Sequence, residues 1–380
     1  FFQAEDGIRD SVASRGLGDV YKRQASYNTA VGKQALNTNT TGTYNSAFGW
    51  GALNSNTTAD GNTAIGNLTL YNNTTGASDT AIGYDVLKAN TTGANNTAVG
   101  VGALVANTTA SSNVALGRYA AGSTTTGDRN TALGYATLYT NVQGDRNVAI
   151  GHRALYTMNP SGNADTMNVG VGYGALEYTT TGVNNTGVGG YVMQANTTGT
   201  DNTGVGEQAL VSNTTGDNNT AVGANALDNN TTADHNTAIG FSALDANTTG
   251  AGNVAVGSYA LYQNTTSNNN VTVGYEAGTE NTTASGTVAM GYGAANKNTT
   301  GAGRVAIGYR ATRYGTGHDY CTAVGYEALE GTNGYNNSDN NTAIGYQALK
   351  AVSTGASNTA VGALALTANT TGGYNTAMGR

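Results

Sequence analysis

Cysteine occurs once in this chain, at Cys321, proline once, at Pro160, and histidine three times. A single cysteine leaves no disulfide framework and no thiolate metal site. Charge is sparse: 16 Lys and Arg against 23 Asp and Glu give a formal net charge of −7. Nucleic-acid binding calls for clustered cations that displace counterions, so a dilute acidic chain argues against it. No apolar run approaches the length that crosses a bilayer, and membrane insertion by this chain is not expected. What is abundant is Gly, at 56 residues, together with Asn and Thr. Such a composition would read as disordered if it were not periodic.

It is periodic. Pentads of the type N-T-A-V-G start at 28, 45, 62, 79, 96, 113, 130, 147, 168, 185, 202, 219, 236, 253, 270, 287, 304, 321, 341, 358 and 375. Of the 20 intervals 18 are 17 residues, and the exceptions of 21 and 20 place insertions near residues 157–167 and 331–340. A fixed short period sustained along the chain is the signature of a repeat architecture. The consensus unit is N-T-A-V-G-x-x-A-L-x-x-N-T-T-G-x-x. Position 4 is apolar in all 21 units, from Val31 to Met378, and position 5 is Gly in all of them, from Gly32 to Gly379. An apolar, often β-branched residue running into an obligatory Gly predicts a short strand that ends in a turn needing φ > 0. The frequent Leu at position 9, as at Leu36, Leu104 and Leu210, predicts a second short strand. Repeated Gly and β-branched residues without a 3.6-residue stripe exclude a helix.

One such unit cannot bury its own apolar face, whereas stacked copies can. The expected fold is therefore all-β, a parallel β-solenoid or β-roll of 17-residue coils with two short strands each. At a strand spacing of about 4.8 Å the stacked coils would reach on the order of 100 Å. Asn fills position 1 in 17 of 21 units and suits an amide ladder along the stack, while the N-T-T at positions 12 to 14 suits a Thr-lined edge. Alternate strand residues face opposite sides. We expect position 4, for example Val99, in the coil core, with the Ala row at position 3 (Ala30, Ala47, Ala64, Ala81, Ala98) turned toward a second layer. A neighbouring chain is the simplest such layer.

Strings such as "NTAVGYEAL", "NTAIGYQAL" and "NVAIGHRAL", spaced by "NTTG", are similar to the head and stalk repeats of trimeric autotransporter adhesins. They also resemble repeats of tail-fibre proteins that carry an endosialidase-type intramolecular chaperone. The likeness spans residues 25–380, read as one repeat domain of about 21 coils truncated at both ends. It implies a homotrimeric, left-handed β-roll on a bacterial cell surface or phage virion, with a host-surface glycan or protein as receptor. The autotransporter heads use a shorter unit than this one. Residues 1–24, "FFQAEDGIRDSVASRGLGDVYKRQ", share no vocabulary with the repeat and resemble translated sequencing-adaptor read-through, so they are not expected to join the fold.

Chemistry is scarce. His152, His235 and His318 have no second His or Cys at metal-ligand spacing and read as surface-loop residues. Asp and Glu are scattered, with no pair in an apolar pocket that would drive the pKa values of its members apart, so catalysis and resident cofactors or metals are not expected. Matches such as Gly100-Val101-Gly102 and Gly170-Val171-Gly172 fall out of the repeat, and without a following helix they signal no nucleotide. The Asn-x-Thr sequons would be glycosylation acceptors in a eukaryotic secretory protein and ladder residues in a bacterial or phage one, and the second reading is the one expected here. One column exceeds the structural minimum: position 6 becomes Tyr in five successive units, Tyr275, Tyr292, Tyr309, Tyr326 and Tyr346. Such a column could hold sugar rings or a protein partner, or else simply pack coil on coil. The leading expectation is a structural and adhesive fibre that presents a receptor-binding tip and adds weak multivalent contacts. The alternative is a solenoid that binds ice or another crystal surface through Thr ladders, represented by Thr91, Thr92, Thr108, Thr109, Thr197, Thr198, Thr214 and Thr215.

Overall fold

A computed structural model describes residues 8–10, 27–162, 164–317, 319–332 and 338–380. The reading of residues 1–24 therefore falls mostly outside the described residues, as do His318 and the middle of the second insertion. Within the leading segment Ile8–Asp10 is described, as a strand in parallel register with Asn28–Ala30.

The chain is all-β, a parallel β-solenoid with no helix among the described residues. It divides into two compact units, residues 1–185 and 186–380. In the first, nine strands at the repeat's A-V-G core succeed one another from Asn28–Val31 to Val169–Val171; in the second, twelve run from Thr186–Val188 to Thr376–Met378. Partners are equivalent residues of successive coils, as in Thr203↔Thr220, Gly204↔Ala221 and Val205↔Val222. The insertions do not shift the register, since Val148 still pairs Val169 and Thr322 pairs Thr342. The first one adds a small parallel pair of its own, Gly144–Asp145 with Ala164–Asp165.

Each coil carries one such strand, not the two expected. Leu at position 9 lies in a turn with left-handed backbone, φ 49° at Leu36, 49° at Leu104 and 54° at Leu210. That conformation costs a non-glycine residue about 1–2 kcal/mol. It is offset because the turn swings Leu into the coil, where Leu104 and Leu210 are fully buried, while the Leu210 N–H still donates to Ala226 O of the next coil at 3.0 Å. The turns stack as regularly as the strands do.

The two faces of the strand are also the reverse of the expectation. Position 3 points inward: Ala47, Ala98 and Ala221 are wholly buried. Position 4 points outward, with Val222 37% and Ile239 41% exposed. Space decides this. A Cβ on Gly204, at position 3, would stand 2.7 Å from Val192 Cγ2 and 3.2 Å from Met193 Cε, so the interior is narrow there; across the coils position 3 is otherwise Ala or Gly, and the largest side chain it buries is Thr272. The invariant Gly at position 5 has a separate cause: Gly223 has φ +137°, and a Cβ there would fall 2.4 Å from Gly240 O.

Amides fill the rest of the interior. At position 1, Asn202 Oδ1 accepts the Asn219 N–H at 2.9 Å and Asn202 Nδ2 donates to Gly216 O at 2.8 Å. The Asn of N-T-T forms a second buried ladder rather than a solvent-facing edge: Asn213 Nδ2 donates to Asn196 Oδ1 at 3.0 Å and to Gly216 O at 3.0 Å, and Asn230 and Asn247 continue it. Buried amides that satisfy one another are stable, and a missing member would strand its neighbours.

Candidate functional site

The outer face of the strands is the first candidate. In a solenoid whose interior is Ala, Leu and Asn, the side chains left outside are Thr, Val or once Ser46 at position 2, an aliphatic, Met or once Phe48 at position 4, and the variable position 6. Val188, Val205, Val222, Ile239, Met290, Ile307 and Ile344 form an exposed column in the second unit; Ile65, Ile82, Leu116 and Leu133 do so in the first. A lone exposed Val is ordinary, but a contiguous apolar row repeated in coil after coil is not.

Beside it runs the tyrosine column. The rings of Tyr275, Tyr292, Tyr309, Tyr326 and Tyr346 stack face to face, with centroids 5.6, 5.2, 4.9 and 5.5 Å apart and planes within 10–17° of parallel. At the N-terminal end Tyr259 meets Tyr275 edge-on at 6.2 Å. The inner faces are thus covered by neighbouring rings, and the hydroxyl edges are what solvent meets. Arg310 lies over Tyr309 at 4.9 Å and Tyr292 at 5.9 Å. The carboxylate of Glu276 pushes the Tyr275 phenol pKa up, and burial together with Glu327 does the same at Tyr326, so both stay neutral at physiological pH. Lys350 bridges Glu327 at 2.5 Å and Glu330 at 3.3 Å.

A shorter aromatic column lies in the first unit. His152 is not the free surface-loop residue its sequence context suggests: it is clamped between Tyr135 and Tyr173, at 5.2 and 4.8 Å. The signal is in the sequence, because Tyr135 and His152 are one repeat apart and Tyr173 follows across the insertion. His235 is exposed in a turn.

The N-T-T threonines lie in bends. The first of each pair is half-buried and its hydroxyl donates to the next coil's carbonyl: Thr91 to Thr108 O at 3.0 Å, Thr108 to Thr125 O, Thr197 to Thr214 O and Thr214 to Thr231 O. The second, as at Thr92, Thr109, Thr198 and Thr215, is exposed. The sequon asparagines are buried and their amides occupied, so the folded chain offers no acceptor for N-glycosylation at Asn90, Asn107, Asn196 or Asn213.

Three interruptions of the position 1 ladder carry charge or a thiol. Asp79 is fully buried, and desolvation pushes its pKa up to about 7 despite donors from Asn96. Arg304 is fully buried with Nη1 donating to Gly315 O at 2.8 Å; burial pulls its pKa down to about 10, and it remains cationic. Cys321 packs beside it, its thiol pKa raised by burial. Among the described residues no group of three or more His, Cys, Asp or Glu could hold a metal ion. No described helix is long and apolar enough to cross a membrane.

These features define a repeat protein of the parallel β-solenoid class whose outer face is apolar and whose interior is lined by amides as well as by Ala and Leu. No protein-family model matches the chain, and neither does any curated protein.

Proposed function

We propose that the chain is a segment of a homotrimeric, left-handed surface fibre, a rigid stalk or head that presents a receptor-binding tip at a bacterial or phage surface. The observation that carries this reading is the outward position 4 row. Fully burying a Val or Ile is worth roughly 1.5–3 kcal/mol, so covering the two-fifths still exposed yields about 1 kcal/mol per coil. Over the twelve coils of the second unit that is on the order of 10 kcal/mol per chain, comparable with the ~4–15 kcal/mol that association costs. The gain grows with every added coil. A partner that meets each row in register must share the coil spacing, and another copy of this chain does so at every coil. Repetition then supplies both stiffness and self-association, with glycan or protein contacts along the side as weak multivalent additions.

Light scattering on the purified chain tests this: three copies per particle are expected, and a monodisperse monomer with full β-structure would overturn it. A second reading has one observation in its favour, an outward strand row of Thr186, Thr203, Thr220 and Thr237 beside the aliphatic column. It would bind ice or another crystal surface, and thermal hysteresis in the soluble chain would establish it.

A further inference from the structure

We propose that the tyrosine ladder of the second unit is a site of oxidative cross-linking, at which a one-electron oxidant couples neighbouring phenols through their Cε carbons into dityrosine and joins successive coils covalently. Coupling requires two phenoxyl radicals to meet before either is quenched, and holding the partners in contact removes the cost of that encounter. The ladder does this four times over: neighbouring rings stand 4.9–5.6 Å apart and nearly parallel because the sheet register fixes them. Four of the five rings are exposed at their edges and Tyr309 is half-buried between its neighbours, so oxidant can enter along the column and the radical can pass inward.

The chemistry balances with a peroxide and a haem peroxidase. Each phenol gives up one electron and one proton; the two radicals form a Cε–Cε bond; and the ring hydrogens shift to oxygen as aromaticity returns. The peroxide takes up the two electrons and two protons and leaves as two waters. Each link closes a loop one coil long and shortens the excursions available to the unfolded chain. The same geometry recurs at Tyr27–Tyr44, 4.9 Å, and Tyr139–Tyr156, 5.4 Å. Tyr135 and Tyr173 provide an internal control, because His152 separates them. This inference does not depend on the oligomeric state.

Trypsin exposes the product cleanly, since cleavage after Arg304 and Arg310 releases residues 305–310 with Tyr309 as their single tyrosine, and cleavage after Arg313 and Lys350 releases residues 314–350. After treatment of a mixture of ¹⁵N-labelled and unlabelled full-length chains with hydrogen peroxide and a haem peroxidase, these two peptides should appear joined, two hydrogens lighter than their sum, without mixed isotopes. Fragmentation should place the bond on Tyr309 and Tyr326. Tyr309→Phe, which keeps the ring and loses the phenol, should abolish that species and leave the Tyr275–Tyr292 link. Urea-unfolded chain should lose both. The proposal is overturned if Tyr309 stays unlinked while other tyrosines oxidise, if the links are of mixed isotope, if they join Tyr314 or Tyr320 instead, or if unfolded chain forms them equally well.

Discussion

Replacing Asp79 with Asn should stabilise the first unit at neutral pH and remove a pH dependence that the native chain carries. Asp79 sits where its neighbours in the column, Asn62 and Asn96, have an amide. Its Oδ1 accepts the Asn96 N–H at 2.8 Å and Asn96 Nδ2 at 3.0 Å, and Oδ2 accepts Asn90 Nδ2 at 3.2 Å. These donors favour the anion, but loss of water around a wholly buried carboxylate outweighs them, and the pKa moves from 3.8 to about 7. The native state therefore keeps a proton that the unfolded chain releases near pH 4. Between those values the unfolded state binds fewer protons, so stability is complete below pH 4, falls as pH rises, and levels off above pH 7. At roughly 1.4 kcal/mol per pH unit the loss amounts to about 4 kcal/mol. Asn at this position offers a neutral amide at every pH, and its Nδ2 can donate to Gly93 O as Asn62 Nδ2 does to Gly76 O at 2.9 Å. Urea unfolding followed by far-ultraviolet circular dichroism from pH 4 to 8 should show the native midpoint falling with pH relative to that of Asp79→Asn, and the two converging at pH 4. A variant whose midpoint tracks that of the native chain across the range, or lies below it at pH 8, would refute the reasoning.

Gly223→Ala should cost several kcal/mol, on the order of 3 or more, because its Cβ would meet Gly240 O within 2.4 Å in a left-handed backbone; thermal unfolding measures this. Ala221→Leu should destabilise by roughly 1–3 kcal/mol through overpacking of the coil, measured in the same assay. Asn213→Leu should cost about 1–3 kcal/mol by taking the Asn213 amide away from Asn196 Oδ1 and leaving Asn230 Nδ2 with Ala233 O as its remaining acceptor, read as faster amide hydrogen exchange in the adjoining coils. Combined Val188→Lys, Val205→Lys and Val222→Lys should leave β-structure intact and yield a monomer by light scattering.

Much of the fold was legible in the order of residues. The period fixes the register, the invariant Gly marks the φ > 0 turn, and the constancy of Asn at position 1 announces a ladder, because a buried amide can be replaced only by something that bonds equally well. Which side of the strand faces inward was not legible. Alternation assigns residues to two faces but not to inside and outside, and hydrophobicity favoured Val99 over Ala98 for the core. Width decides it instead: a Cβ on Gly204 would already crowd Val192 and Met193, and the largest side chain position 3 buries is Thr272, so the larger apolar residues are expelled and the smaller retained. Leu104 misled for a related reason. Its type fits a strand, yet burial in a narrow coil is reached through a left-handed turn that propensity disfavours. Of the candidate sites, the tyrosine column was visible as a count at one position, whereas the His152 stack was split between an isolated histidine and an insertion that hid the third ring.

The most direct test of the outward row is a nitroxide at Val222→Cys, read by pulsed electron paramagnetic resonance in a Cys321→Asn background that removes the native thiol. If the row is covered by copies of the same chain, the label is immobilised and couples to its equivalents at a single short distance, with a modulation depth corresponding to three spins. A mobile label with no inter-label coupling would show that the row faces water, and the self-associating fibre would fall with it.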